Sequence, residues 1–180
     1  MNLTRHGWYY VAIATLLSPM AAPAQGFGLN EIGSCAVARG FAVTGSPCRD
    51  ASVIYWNPAA AALLSGNSLV IGGASIGVKG AFNRDSSLGR FPSDVPAAFP
   101  PHLFLSHTST DGLSLGLGVY VPYGLTSQWK DDFPGRFLAK KATIKTLYFQ
   151  PNVACKLNAN WSVGGGPIRG MRKRGSKGGG

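Results

Sequence analysis

The chain has 180 residues, 25 of them glycine, with only 13% charged and a formal net charge of +10. Soluble domains carry about a quarter charged residues, so this composition fits poorly with an ordinary soluble surface and well with a wall that faces lipid on one side. A nucleic-acid-binding face is excluded by where the cations lie: Arg169, Arg172, Lys173, Arg174 and Lys177 crowd the C-terminal end and Arg5 the beginning, and no basic face runs between them.

Arg5 precedes an apolar stretch from Trp8 to Leu17, then Pro19 and the small-residue triplet Ala22-Pro23-Ala24. That is the layout of a secretory signal peptide over residues 1–24, with Gln25 as the first mature residue. The stretch is too short to span ~30 Å of hydrocarbon, which takes about 20 apolar residues. No later apolar run approaches that length, so membrane-spanning helices are not expected.

Residues 25–66 are rich in Gly, Ala and Ser and show no strand alternation. Cys35 and Cys48 enclose a short loop here, and in the oxidising periplasm they are the expected disulfide partners, with Cys155 left over. A loop of that size removes roughly 3 kcal/mol of unfolded-state entropy. Zinc is not expected, because neither a Cys-x-x-Cys pair nor a nearby His accompanies them. Asn57-Pro58-Ala59 opens an alanine run, with Asn57 read as the helix cap and Pro58 in the first turn. A compact segment ahead of the first strand suits a plug inside a barrel.

Residues 67–166 alternate with a period of two. Leu113 to Val121 has an aliphatic residue at every odd position, and Lys145 to Leu157 sets Leu147, Phe149, Val153, Cys155 and Leu157 against Thr146, Tyr148, Gln150, Asn152 and Lys156. Such segments are strands with different solvents on their two faces. Ser68 to Lys79 (Val70, Ala74, Ile76 and Val78 on one face), His102 to His107 and a segment from Asn160 behave alike. Asp111-Gly112 and Asn158-Ala159-Asn160 read as tight turns, whereas residues 80–101 and 123–141 read as long polar loops. Short turns alternating with long loops mark the two ends of an outer-membrane barrel.

The expected fold is therefore all-β, a transmembrane antiparallel barrel of which about five strands are present. Bacterial barrels close with an even number of strands, at least about eight, so closure is not expected from these strands alone. The basic, Gly-rich residues 167–180 are expected to be a disordered false end.

No catalytic motif is read. Gly73-Ala74-Ser75-Ile76-Gly77 and Gly112-Leu113-Ser114-Leu115-Gly116 match Gly-x-Ser-x-Gly by spacing but lie in alternating, strand-like sequence rather than at a strand-to-helix elbow. His-Glu-x-x-His does not occur, and Gly116-Leu117-Gly118 is not followed by a third glycine. His102 and His107 fall on opposite faces of a strand, which argues against a shared metal. Neither catalytic residues nor a metal or cofactor is expected.

Several segments resemble the outer-membrane transporters of long-chain fatty acids and aromatic hydrocarbons. They are Gly26-Phe27-Gly28-Leu29-Asn30-Glu31, Asp50-Ala51-Ser52 leading into Asn57-Pro58-Ala59, Val121-Pro122-Tyr123-Gly124-Leu125, and Pro151-Asn152-Val153-Ala154. The resemblance covers residues 26 to about 166; Cys155-Lys156 departs from it, as does everything after Gly166. It implies a 14-stranded barrel with an N-terminal hatch in the Gram-negative outer membrane. Hydrophobic small molecules would bind in the lumen and pass the hatch. It puts Phe27, with Leu29, Asn30 and Glu31, on the substrate path, and Asn57, Pro58 and Ala59 in the hatch. The implied partners are membrane lipid, lipopolysaccharide, a hydrophobic ligand and the barrel-assembly machinery, with no nucleic acid. A surface-binding barrel that transports nothing is the alternative. Arg136, Lys140, Lys141 and Lys145 read as basic residues of a solvated loop.

Overall fold

The computed structural model describes residues 28–83 and 89–178; the expected signal peptide and Phe27 lie outside them. Strands β1 (Gly66–Gly73), β4 (Pro101–Thr108), β5 (Leu113–Tyr120), β6 (Gly124–Gln128), β7 (Lys141–Lys156), β8 (Ser162–Gly165) and β9 (Arg169–Lys177) form one sheet. A separate small hairpin, β2 (Ala81–Asn83) with β3 (Arg90–Pro92), sits in the long loop after β1.

All pairings are antiparallel. β1 pairs β4, β4 pairs β5, and β5 and β6 run end to end along one edge of the 16-residue β7. β8 and β9 run end to end along its other edge. The sheet is thus a meander of five strand lines, two of them interrupted. β7 is long enough to cross a bilayer at a tilt, for which about 9–11 residues suffice.

Each interruption has a local cause. Between Tyr120↔Tyr148 and Gly124↔Lys145, three residues of the β5–β6 line face two of β7, so one residue is extra and the line bulges. Thr146 holds the bulge: its hydroxyl donates to the Tyr123 carbonyl (2.7 Å) and accepts from the Tyr123 N–H (3.2 Å). On the other edge, the register that pairs Val153 with Gly165 and Phe149 with Arg169 brings Pro167 opposite Pro151. Neither proline has an N–H to donate, and the ladder breaks there.

Burial along the strands is inverted relative to a soluble sheet. Leu103, Leu105, Leu115, Leu117 and Val153 point outward and Leu69 and Ile71 are 60% and 71% exposed, while Ser106, Thr108, Ser114, Gln150 and Asn152 are buried on the other face. Such a wall suits oil outside and a filled lumen inside. Among the described residues, β1 and the β8–β9 line have no further neighbours, so the sheet is open.

Four expectations are corrected. The first strand ends at Gly73, and its outward residues are Leu69 and Ile71, because pairing with Leu105 and Leu103 sets its face. The loop expected over 123–141 begins with β6, continuing along β7 after the bulge. The tail expected to be disordered contains β9: main-chain bonding to the open edge of β7 requires no side-chain alternation. Finally, Asn57 does not cap its helix; its side-chain amide donates to the Thr44 carbonyl (2.9 Å).

Residues before β1 form helices α1 (Ser34–Ala38) and α2 (Val53–Trp56) and a 3-10 helix over Pro58–Leu63. A disulfide joins Cys35 to Cys48, with Cα atoms 6.2 Å apart. The molecule's core lies between this segment and the inner face of the sheet. Val43, Val53, Ile54 and Ala60 to Ala62 bury against Phe104, Tyr120 and Ala154.

Candidate functional site

The N-terminal segment is seated by wall side chains reaching its main chain. Short helices leave carbonyls without intrahelical partners, and burying these unpaired would cost about 1–3 kcal/mol each. Three inward polar residues supply donors: Gln150 to the Ile54 carbonyl (3.0 Å), Asn152 to Pro58 (3.2 Å) and Thr108 to Ala61 (3.0 Å), the last a carbonyl that also accepts the Leu64 N–H (3.2 Å). Ser68 on β1 accepts the Ala51 N–H (3.0 Å). Gln150 is held in turn by the Tyr120 hydroxyl, which donates to its Oε1 (2.5 Å).

Close packing completes the seat. A Cβ on Gly116 would lie 2.6 Å from Ile54 Cδ1, and one on Gly164 2.7 Å from Ala59 Cα. The missing side chains of these wall glycines let the segment lie directly on the sheet. Tyr55 stands edge-on to both Trp56 and Tyr120 (centroids 4.9 Å apart in each pair), while the Trp56 indole N–H donates to the Ile32 carbonyl (3.0 Å).

Toward the long-loop end the inner face changes character and a cavity of about 640 Å³ opens. Leu29 bounds it on the N-terminal side, Leu125 and Ile144 on the sheet, and Ile76, Val78 and Phe99 on the loop after β1. Thr126, Thr146 and Lys145 are the polar members of the lining. The loop wall is tied across itself by reciprocal main-chain bonds between Ile76 and Ala98, both 2.9 Å. Leu29 is fixed by its N–H donating to the Pro122 carbonyl at the bulge (2.8 Å), next to a bridge between Gly28 and Tyr123. Mostly apolar walls with a few hydroxyls suit a hydrophobic small molecule, and the volume falls within the roughly 300–1,000 Å³ common for ligand sites.

Of the residues expected on the substrate path, Leu29 lies on this cavity. Asn30 and Glu31 lead away from it into the hatch segment, the Asn30 carbonyl accepting the Ile32 N–H (2.7 Å). Asn57, Pro58 and Ala59 sit at the far end: Asn57 ties two parts of the segment together, Pro58 accepts from Asn152, and Ala59 presses on Gly164. The structure thus separates the expected set into one cavity residue and a seating group. Ile76, Val78, Phe99, Leu125 and Ile144 were not anticipated as lining. Their signal was faint, because they come from a loop and from strand ends where alternation gives way to irregular chain.

Comparison with known proteins agrees with this architecture. Residues 15–175 match the family described as outer membrane protein transport protein (OMPP1/FadL/TodX). The chain is 26% identical over 157 residues to the long-chain fatty acid transport protein of Escherichia coli K12, covering 86% of this chain and 35% of that one. It is also 26% identical over 172 residues to outer membrane protein P1 of Haemophilus influenzae, covering 86% and 38%. A crystal structure of a Pseudomonas aeruginosa FadL homologue superposes with a TM-score of 0.62 at 23% identity, covering 83% of this chain and 38% of that one. The chain therefore spans little more than a third of the length of these relatives, which are transport and outer-membrane proteins. With the family matched over most of its length and the same fold in a solved relative, this chain belongs to the outer membrane protein transport family.

Proposed function

We propose that the chain forms part of an outer-membrane channel that takes up hydrophobic molecules such as long-chain fatty acids or aromatic hydrocarbons. The observation carrying this reading is the apolar cavity beside Leu29, on the inner face of a sheet whose outer face is aliphatic. An apolar chain entering it gains about 0.8 kcal/mol per buried CH₂, so a dry route suffices and no covalent step is needed. On this reading Phe27 and Leu29 meet the ligand. Asn30 and Glu31 connect them to the hatch, and Asn57, Pro58 and Ala59 anchor it, with the Cys35–Cys48 disulfide stiffening it. Passage follows displacement of the N-terminal end of the hatch from Pro122 and Tyr123. Partners are the surrounding membrane lipid, lipopolysaccharide and the machinery that inserts barrels.

The test is uptake of labelled oleate by cells whose own transporter is deleted and which carry this chain joined to the remaining strands of a family barrel. Uptake above the deletion strain, reduced by Leu125→Asp, is expected. Uptake no greater than the deletion strain would leave a surface-binding barrel as the better reading.

A further inference from the structure

A second cavity, of about 530 Å³, lies at the long-loop end of the sheet between β6, β7, β9 and the loop joining β6 to β7. Its lining brings together Arg136, Lys140, Lys141 and Lys177, with Gln128 and Asp131. The single carboxylate is already engaged by Lys140, so three cations remain without a counter-charge in the lining.

The strand register makes this excess costly to the protein alone. Lys141 is directly opposite Lys177, and Lys145 directly opposite Lys173. Like charges in cross-strand pairs destabilise a sheet, and two such pairs four residues apart lie on the same face, because side chains alternate with period two. An anion between them would turn a repulsive ladder into an attractive one. Arg136 is ordered for such a role, its guanidinium stacked 4.3 Å from the centre of the Phe137 ring. The Lys140 N–H donates to the Lys177 carbonyl (3.1 Å), tying the loop to β9.

The surroundings say what kind of anion fits. Phe137 and Leu138 beside the cavity are 66% and 91% exposed. Along the outward face of β7 and β9, the next same-face pair after Lys145–Lys173 is Leu147–Met171, where the aliphatic band begins. Cations over an apolar band, at the end that carries the long extracellular loops, match an amphiphile whose acyl chains lie on the band and whose headgroup is phosphorylated. We propose that this cavity seats a phosphate of a phosphorylated glycolipid of the outer leaflet, held by Arg136, Lys141 and Lys177. The inference rests on the outer-membrane fold and is independent of which molecule the channel carries.

The test uses the whole chain in zwitterionic detergent micelles, titrated with fluorescent diphosphoryl lipid A and with its dephosphorylated form. The phosphorylated lipid should bind at least about tenfold more tightly, and K141Q/K177Q should lose about tenfold, the size expected for charge-assisted hydrogen bonds. Lys156→Gln, at the opposite end of β7, should change nothing. Leu138→Gln should weaken the lipid without altering affinity for inorganic phosphate. Near-ultraviolet circular dichroism checks the fold of each variant, and K141R/K177R, which keeps both charges, should retain binding. Equal binding of the dephosphorylated lipid, or parental affinity in a folded K141Q/K177Q, would overturn the proposal. So would displacement by equimolar inorganic phosphate, which would make this a plain anion site. Displacement by a single-stranded oligonucleotide would point to nucleic acid instead.

Discussion

The inner face of the sheet has two halves that treat polarity in opposite ways. Toward the short turns, Thr108, Gln150 and Asn152 bury polar groups that donate to carbonyls of the helical segments lying on top of them, with Asn152 Oδ1 left without a partner. Toward the long loops, Leu125 and Ile144 present hydrocarbon to an open cavity. Inward residues are therefore matched to what covers them. Main chain demands hydrogen-bond partners, while an apolar guest demands their absence.

The sharpest way to break the contrast is to remove the side chain that keys the hatch to the wall. Ile54→Ala should destabilise the seat by about 2–5 kcal/mol, read as faster hydrogen exchange over residues 53–63. Gly116→Val should also destabilise it, and combining it with Ile54→Ala should cost less than the two separate effects added, since the two atoms occupy the same space. Replacing both Cys35 and Cys48 by Ser should cost about 3 kcal/mol of hatch stability, seen as proteolysis within residues 35–48, with the cavity half unaffected.

A polar substitution tests the same half more gently. Gln150→Leu strands the Ile54 carbonyl and the Tyr120 hydroxyl and should cost about 1–3 kcal/mol, whereas Leu125→Asp should leave hatch exchange unchanged and abolish displacement of an apolar dye by oleate. The smallest effect concerns pH. The hydrogen bond from Lys140 holds the Asp131 carboxyl below its ordinary value. A depressed folded value means that the contribution is present above the unfolded value and is lost as the pH falls through the folded one. Acidification below the ordinary carboxylate range should therefore loosen the loop around Trp129, whose N–H donates to the Lys140 carbonyl, raising iodide quenching of that indole. Asp131→Asn should remove the pH dependence.

Much of the wall was legible in advance because its period is set by covalent geometry. Any strand with lipid on one side must alternate, so Leu113 to Val121 and Lys145 to Leu157 declared both their conformation and their outward residues. The Asp111-Gly112 turn was equally local, resting on a positive φ at Gly112 (79°). The bulge at Val121 to Tyr123 was not legible, since an extra residue disturbs pairing without changing composition. Nor was the strand at Arg169–Lys177, whose side chains give no pattern and whose order comes from the edge it meets. Within the candidate site, Asn57 looked like a cap from its neighbours, yet the Thr44 carbonyl, distant in sequence, claims its amide.

The sequence by itself determined the conformation and faces of Leu113 to Val121 and Lys145 to Leu157 and the presence of a non-strand segment ahead of the sheet, because these follow from side-chain alternation and from glycine and proline at particular positions. Only the tertiary structure decided which wall groups meet which hatch carbonyls, where the apolar cavity opens and how lysines from distant segments come to face one another. Those outcomes depend on register between strands far apart in the chain, and a slip of one residue would turn every one of those side chains to the opposite face.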